Sequence, residues 1–169
     1  MIHPLLTPLD LAHFIREAGI AAELIPMSVE TPTVPAAAAA LGVSPAQIIK
    51  SLLFEIRAQP LLVIASGDTL VDRRILADRF GVGKKQVKLA TAAAVLTCLG
   101  YAAGGVPPFG HITHVPVLLD RSVARWGTVY GGGGDDRTML RLTPAELLRV
   151  TNAAWIDLAV ARAGDEALP

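Results

Sequence analysis

The chain has 169 residues, 52% apolar and 18% charged, a balance that excludes a disordered polymer and suits one globular unit. Its 15 basic and 15 acidic side chains cancel, so bulk charge cannot hold a long nucleic acid, and any such contact falls on one end or a short patch. A single cysteine, Cys98, excludes an internal disulfide framework and a four-cysteine zinc site, and suits a reducing cytosol.

In chain order, Met1 to Leu11 lack the charged start and apolar run of a signal peptide, so a cytoplasmic protein is expected. Thr7 and Asp10 read as a helix start and Gly19 as its stop, with Leu9, Phe14 and Ile15 as the buried face. A short strand is expected over Ala22 to Met27. Thr33 and Pro35 open an alanine-rich helix ending near Gly42, and Ser44-Pro45 begins another short one. Lys50 to Ile56 and Leu61 to Ser66 are β-like apolar runs, and Arg57 to Pro60 between them predicts a hairpin. Asp72 caps a helix over Arg73 to Phe80 that Gly81 ends, and Thr91 caps another ending at Gly100. The uncharged run from Leu89 to Gly110 contains four glycines and two prolines, so it does not read as a membrane helix. Val115 to Leu119 and Thr128 to Tyr130 read as strands, and Met139 to Leu142 pairs with the latter across Gly131 to Gly134. Thr143-Pro144-Ala145-Glu146 has capping-box spacing, and the tail after Ala163 is expected to fray. Strands joined by short turns among helices predict an α+β fold. Its sheet is mixed, mostly antiparallel, curled or partly barrel-like, with surrounding helices, in one domain over residues 1–169.

Several enzyme designs are missing. There is no Gly-x-Ser-x-Gly elbow, no phosphate loop and no His-Glu-x-x-His. His111 and His114 could share a metal, but no carboxylate pattern accompanies them. Of four lysines, Lys84, Lys85 and Lys88 cluster, fitting either a solvated face or an RNA backbone contact. Lys50 stands alone among apolar residues. It suits either a pocket rim, where an ammonium binds phosphate as a point charge, or a polar face shared with Gln47 and Ser51. Gly104-Gly105-Val106-Pro107-Pro108-Phe109-Gly110-His111 is a stiff loop with backbone donors and little bulk, fitting an oxyanion hole or a tight turn. The tetraglycine reads as a flexible hairpin tip, or as backbone that can approach a ligand closely.

Taken together, Ala39-Ala40-Leu41-Gly42-Val43, Gln47-Ile48-Ile49-Lys50-Ser51-Leu52, Gly67-Asp68 with Val71-Asp72, Gly100-Tyr101 and the Gly104 to Gly110 loop occur in a familiar order and spacing. The chain resembles the YbaK/EbsC group of the prolyl-tRNA editing-domain superfamily over about residues 33–150. The resemblance implies a trans-acting aminoacyl-tRNA deacylase, with tRNA-Pro carrying a small wrong amino acid as substrate. The partners it implies are the tRNA acceptor end and an aminoacyl-tRNA synthetase, with no membrane. It implies no cofactor, no metal and no protein nucleophile, the substrate's own ribose hydroxyl or side chain assisting the attack. By the same resemblance Lys50 meets the 3′ end, and Gly104, Gly105 and Val106 give the catalytic backbone. Pro108, Phe109, Gly110, Gly131 and Gly132 are the expected substrate-binding residues. Relatives carry Ser, Asp or His near the position of Val129-Tyr130-Gly131, where this chain has none. The competing readings are a non-catalytic binder of a nucleotide or aminoacyl-adenosine, and a module that docks a synthetase.

Overall fold

The computed structural model describes residues 4–158, and the expected frayed tail after Ala163 lies outside the described residues. Helix α1 (Pro8–Glu17) begins where the Thr7 N–H donates to Asp10 Oδ2 at 2.7 Å. Its buried residue is Leu11, with Ile15 beside it, whereas Leu9 is 65% and Phe14 39% exposed. Leu11 and Ile15, four apart, share a face, and Leu9, two positions from Leu11, lies about 200° around the helix. That periodicity corrects the expected buried face.

Strand β1 (Ala22–Pro26) leads to α2 (Val34–Leu41), where Thr33 Oγ1 accepts the Ala36 N–H at 3.3 Å and Gly42 ends the helix left-handed. A 3-10 turn (Pro45–Gln47) then delivers the chain into β2 (Ile49–Ile56) and β3 (Gln59–Ser66). Their turn is two residues, Arg57 and Ala58, both with positive φ, and Pro60 sits inside β3 opposite Glu55. Then come α3 (Arg73–Phe80), β4 (Val87–Leu89), α4 (Ala92–Leu99), β5 (Val117–Asp120), β6 (Val129–Gly132), β7 (Thr138–Leu142), α5 (Pro144–Thr151) and β8 (Ala154–Ile156). The unforeseen strands β4 and β8 have three residues each, too few to show a period.

The fold is α+β, with more antiparallel than parallel pairings. A three-stranded antiparallel sheet runs β1-β7-β6. The five-stranded sheet runs β4-β2-β3-β5-β8, antiparallel from β4 to β3 and parallel from β3 to β8. The sheets meet at one parallel bridge, Ile48 to Tyr130. They also share a core: Ile49, Leu53 and Leu62 of the larger sheet pack with Val129, Leu140 and Leu142 of the smaller. On the opposite face Phe54, Val63 and Ala65 pack against Leu76 and Ala77 of α3. Both faces of β2 and β3 are therefore covered, which is why their sequences read as continuous apolar runs.

Candidate active site

A cavity of about 310 Å³ opens along the edge of β2, where the two sheets meet. Lys50, Gly104, Val106 and Gly132 all line it. A larger cavity of about 640 Å³ lies by the β2–β3 turn and contains Arg57, Arg79 and His114, but none of the residues singled out for chemistry in the sequence other than that histidine. The smaller cavity is the candidate site because four such residues, distant in sequence, converge there.

Strand alternation sets Lys50 on the face of Leu52 and Phe54, opposite Ala65 of β3. Burial lowers the pKa of its half-buried ammonium, while the charges of Asp68 and Asp120 act to raise it. Neither carboxylate is ion-paired with Lys50 among the described residues. Asp68 pairs with Arg125 at 3.7 Å, and Asp120 accepts the Ser122 hydroxyl at 2.7 Å and the Ser122 N–H at 3.1 Å. The ammonium thus sits in a favourable field without a tether, leaving its hydrogen bonds for a ligand.

The glycine loop is shaped from two sides. Gly104 has φ +98°, a conformation that strains any residue with a Cβ. Gly105 is buried, and a Cβ there would stand 2.7 Å from the Asp135 backbone. The Gly105 N–H donates to the Ala102 carbonyl at 3.3 Å, whereas among the described residues the N–H groups of Ala103, Gly104 and Val106, all on the cavity, have no internal partner. The tetraglycine is no loose tip: Gly131, Gly133 and Gly134 are buried, and the reversal falls at Asp136 and Arg137. The Gly134 N–H donates to the Gly105 carbonyl at 2.9 Å, and a Cβ on Gly132 would collide with the Val106 carbonyl. These glycines let β6 pass directly under the loop, which corrects the hairpin-tip reading.

Other expected residues lie elsewhere. Pro108 and Phe109 are buried, Phe109 stacks on Phe14 with ring centroids 5.9 Å apart, and Gly110 packs beside Leu11. Phe109 and Gly110 anchor the loop to α1, and none of the three lines the cavity. Gly131 backs it, with Ile49 against its Cα. Tyr101 is buried, and His111 Nε2 is 2.7 Å from the Pro107 carbonyl, bracing the same loop. His114 is on the other cavity, so the two histidines do not form a shared metal site. Among the described residues no group of three His, Cys, Asp or Glu is placed to hold a metal. Lys84, Lys85 and Lys88 are exposed on the turn and strand that lead to Leu89 and Ala90 at the cavity wall.

Sequence reasoning missed the opposite wall: Thr31, Val34, Ala37 and Met139. The Thr31 hydroxyl donates to the Asp136 carbonyl at 3.2 Å, holding the approach to α2 against the β6–β7 turn. The small residues of the alanine run were the available signal, since they allow such close packing. Burial raises the pKa of the Cys98 thiol, which packs against the core rather than lining the cavity. Cys98→Ser is expected to leave single-turnover rates within about two-fold and to lower stability by about 1 kcal/mol, read by a thermal melt. A large rate loss in a folded variant would make the thiol a nucleophile.

A profile described as the aminoacyl-tRNA editing domain matches residues 28–150. The uncharacterized protein YwhH of Bacillus subtilis is 36% identical over 129 residues, covering 75% of this chain and 80% of YwhH. The proline–tRNA ligase of Lysinibacillus sphaericus is 30% identical over 104 residues, covering 62% of this chain but 18% of the ligase. A solved structure described as a candidate trans-editing enzyme for prolyl-tRNA synthetase is 32% identical with a TM-score of 0.83, covering 89% of this chain and 95% of that one. A solved hypothetical protein is 33% identical with a TM-score of 0.81, covering 88% and 98%. Among the described residues no helix is long and apolar enough to cross a membrane.

Proposed function

We propose, from the premise that this chain belongs to the aminoacyl-tRNA editing domain family, the YbaK/EbsC group of hydrolytic editing domains, that it clears mischarged tRNA-Pro in trans. The ester carries a small wrong amino acid, and water cleaves it from the terminal ribose.

One observation supports this reading above the others: an untethered Lys50 ammonium and the open N–H groups of Gly104 and Val106 line the same cavity. A cation suits the phosphates near the tRNA 3′ end, and paired N–H donors suit an oxyanion. Among the described residues no His or Cys lines the cavity, and the proposal uses no side-chain nucleophile–base pair. An aminoacyl ester is already activated, and positioning with oxyanion stabilisation suffices, assisted by the substrate's ribose hydroxyl. The partners are the acceptor end and, by likeness to the candidate trans-editing enzyme, a prolyl-tRNA synthetase. The lysines at 84, 85 and 88 would meet the incoming RNA backbone, and Gly105 and Gly132 shape the loop.

The test is purified protein against a panel of mischarged tRNAs, with and without a chelator. Release of alanine from tRNA-Pro is expected, unchanged by chelation. Loss on chelation with recovery on adding zinc would overturn the metal-free mechanism. Binding of mischarged tRNA without release from any member of the panel would replace the deacylase with a non-catalytic binder.

A further inference from the structure

Among the described residues, the outer edge of strand β2 has a stretch at Ser51 that no ladder covers. Four contacts fix the direction of the main-chain groups along β2. The Gly67 N–H reaches the Ile48 carbonyl from the β3 side at 2.6 Å. On the other side Ala90 donates to the Leu53 carbonyl at 2.9 Å, and Arg57 donates to the Gln86 carbonyl at 3.0 Å. Leu62, opposite Leu53, turns its N–H away from β2 to the Pro116 carbonyl at 2.9 Å. Pro60, which has no N–H, stands opposite Glu55 and fits the same alternation. In an antiparallel ladder the directions alternate residue by residue, so Ile49, Ser51, Leu53 and Glu55 all face away from β3. There Leu53 has Ala90, Glu55 has Lys88, and the Ile48–Tyr130 bridge closes the edge beside Ile49. Ser51 falls in the gap: β4 pairs only from Phe54 onward, and the contact with β6 is the single Ile48–Tyr130 bridge, which among the described residues does not continue as a ladder to Ser51. Ser51 lines the candidate cavity.

We propose that this gap seats the L-α-aminoacyl group of the substrate, paired with the Ser51 main chain as a strand of one residue. The proposal rests on the deacylase reading. An α-amino ester carries its ammonium and its carbonyl on one Cα, with the spacing of any residue's N–H and C=O. The Ser51 carbonyl accepts from the α-ammonium, and the Ser51 N–H donates to the ester carbonyl, closing the two-bond ring of an antiparallel pair. Directly paired L-residues put their side chains on the same face of the sheet. Ser51 shares its face with Ile49 and Leu53, and Val95 lines the same cavity. An L side chain therefore enters this small apolar space, while a D side chain turns towards the face of Lys50 and Leu52. The pairing reads chirality and the α-amine together.

The test uses non-hydrolysable amides of 3′-amino-3′-deoxyadenosine bearing L-alanyl, D-alanyl or propionyl groups, titrated into the whole protein. The L-alanyl compound is expected to shift the Ser51 amide resonance, slow its exchange, and bind about 10- to 100-fold tighter than the other two, as a hydrogen bond to a charged group would give. Equal affinities with an unmoved Ser51 amide overturn the pairing while leaving recognition of the adenosine end in place. Among the described residues Asp135 is the one carboxylate lining the cavity, and an Asp135→Asn variant that loses the preference for the α-amine assigns the ammonium there instead. Failure of all three compounds to bind overturns the pairing and the deacylase reading together.

Discussion

Lys50→Ala is expected to give a folded protein that deacylates on the order of 10²-fold more slowly, as when the reacting end is left misplaced by about an ångström. Folding survives because the side chain has no hydrogen bond or ion pair to lose among the described residues, and its removal relieves the desolvation that depresses its pKa. The melting temperature should therefore hold or rise while the rate falls, a combination that a merely structural lysine would not produce. Lys50→Arg keeps the charge but presents a planar fork on a longer stem, so it should restore binding of RNA more than turnover. Single-turnover hydrolysis below saturation, paired with a thermal melt, reads both. Wild-type rates in Lys50→Ala would remove the ammonium from the site.

The local elements were legible where capping chemistry punctuates the chain. Asp72 and Gly81 bound α3, and Thr91 and Gly100 bound α4, as side-chain caps and left-handed glycines require. Legibility failed where tertiary contact decides. The tetraglycine has the composition of a loose turn, yet its carbon surfaces lie against Val106 and Ile49, and only the assembled sheets show that a Cβ would not fit. Phe109 and Gly110 belong to the same motif as Gly104, and the motif alone does not say that the chain turns inward at Pro107 and leaves them packed on α1. The open edge at Ser51 depends on where β4 stops, a boundary in a strand of three residues that carries no periodic signal. Lys50 and the Gly104 loop were found because unusual residue types stand out in an otherwise aliphatic sequence. The apolar wall of the cavity was not found, because Val34, Ala37 and Met139 look like any other core residue.

The loop gives the second large effect, and its two leading glycines should fail for different reasons. At Gly104 there is open space around an added Cβ, but φ is +98°, so a side chain is opposed by the backbone, at a cost of about 1–3 kcal/mol. At Gly105 no positive φ is recorded, but the Asp135 backbone stands 2.7 Å from the added carbon, so the obstacle is space. Gly104→Val should rotate the peptide that carries an N–H without an internal partner, lowering single-turnover rates by about 10²–10³-fold, the effect of a lost oxyanion donor. Gly105→Val should push the loop off the β6–β7 turn and break the Gly134 bond to its carbonyl, lowering both the melting temperature and the rate. Val106→Ala keeps its N–H and should change the chemical step by less than about five-fold, since only apolar contact is lost. The order of effects separates backbone catalysis from simple packing. If side-chain volume were what mattered, Val106→Ala would rival the glycine variants. If a folded Gly104→Val variant hydrolyses mischarged tRNA near the wild-type rate, the loop is a turn and nothing more. The oxyanion would then rest on the Ser51 N–H alone, which the pairing at the edge of β2 already directs at the ester carbonyl.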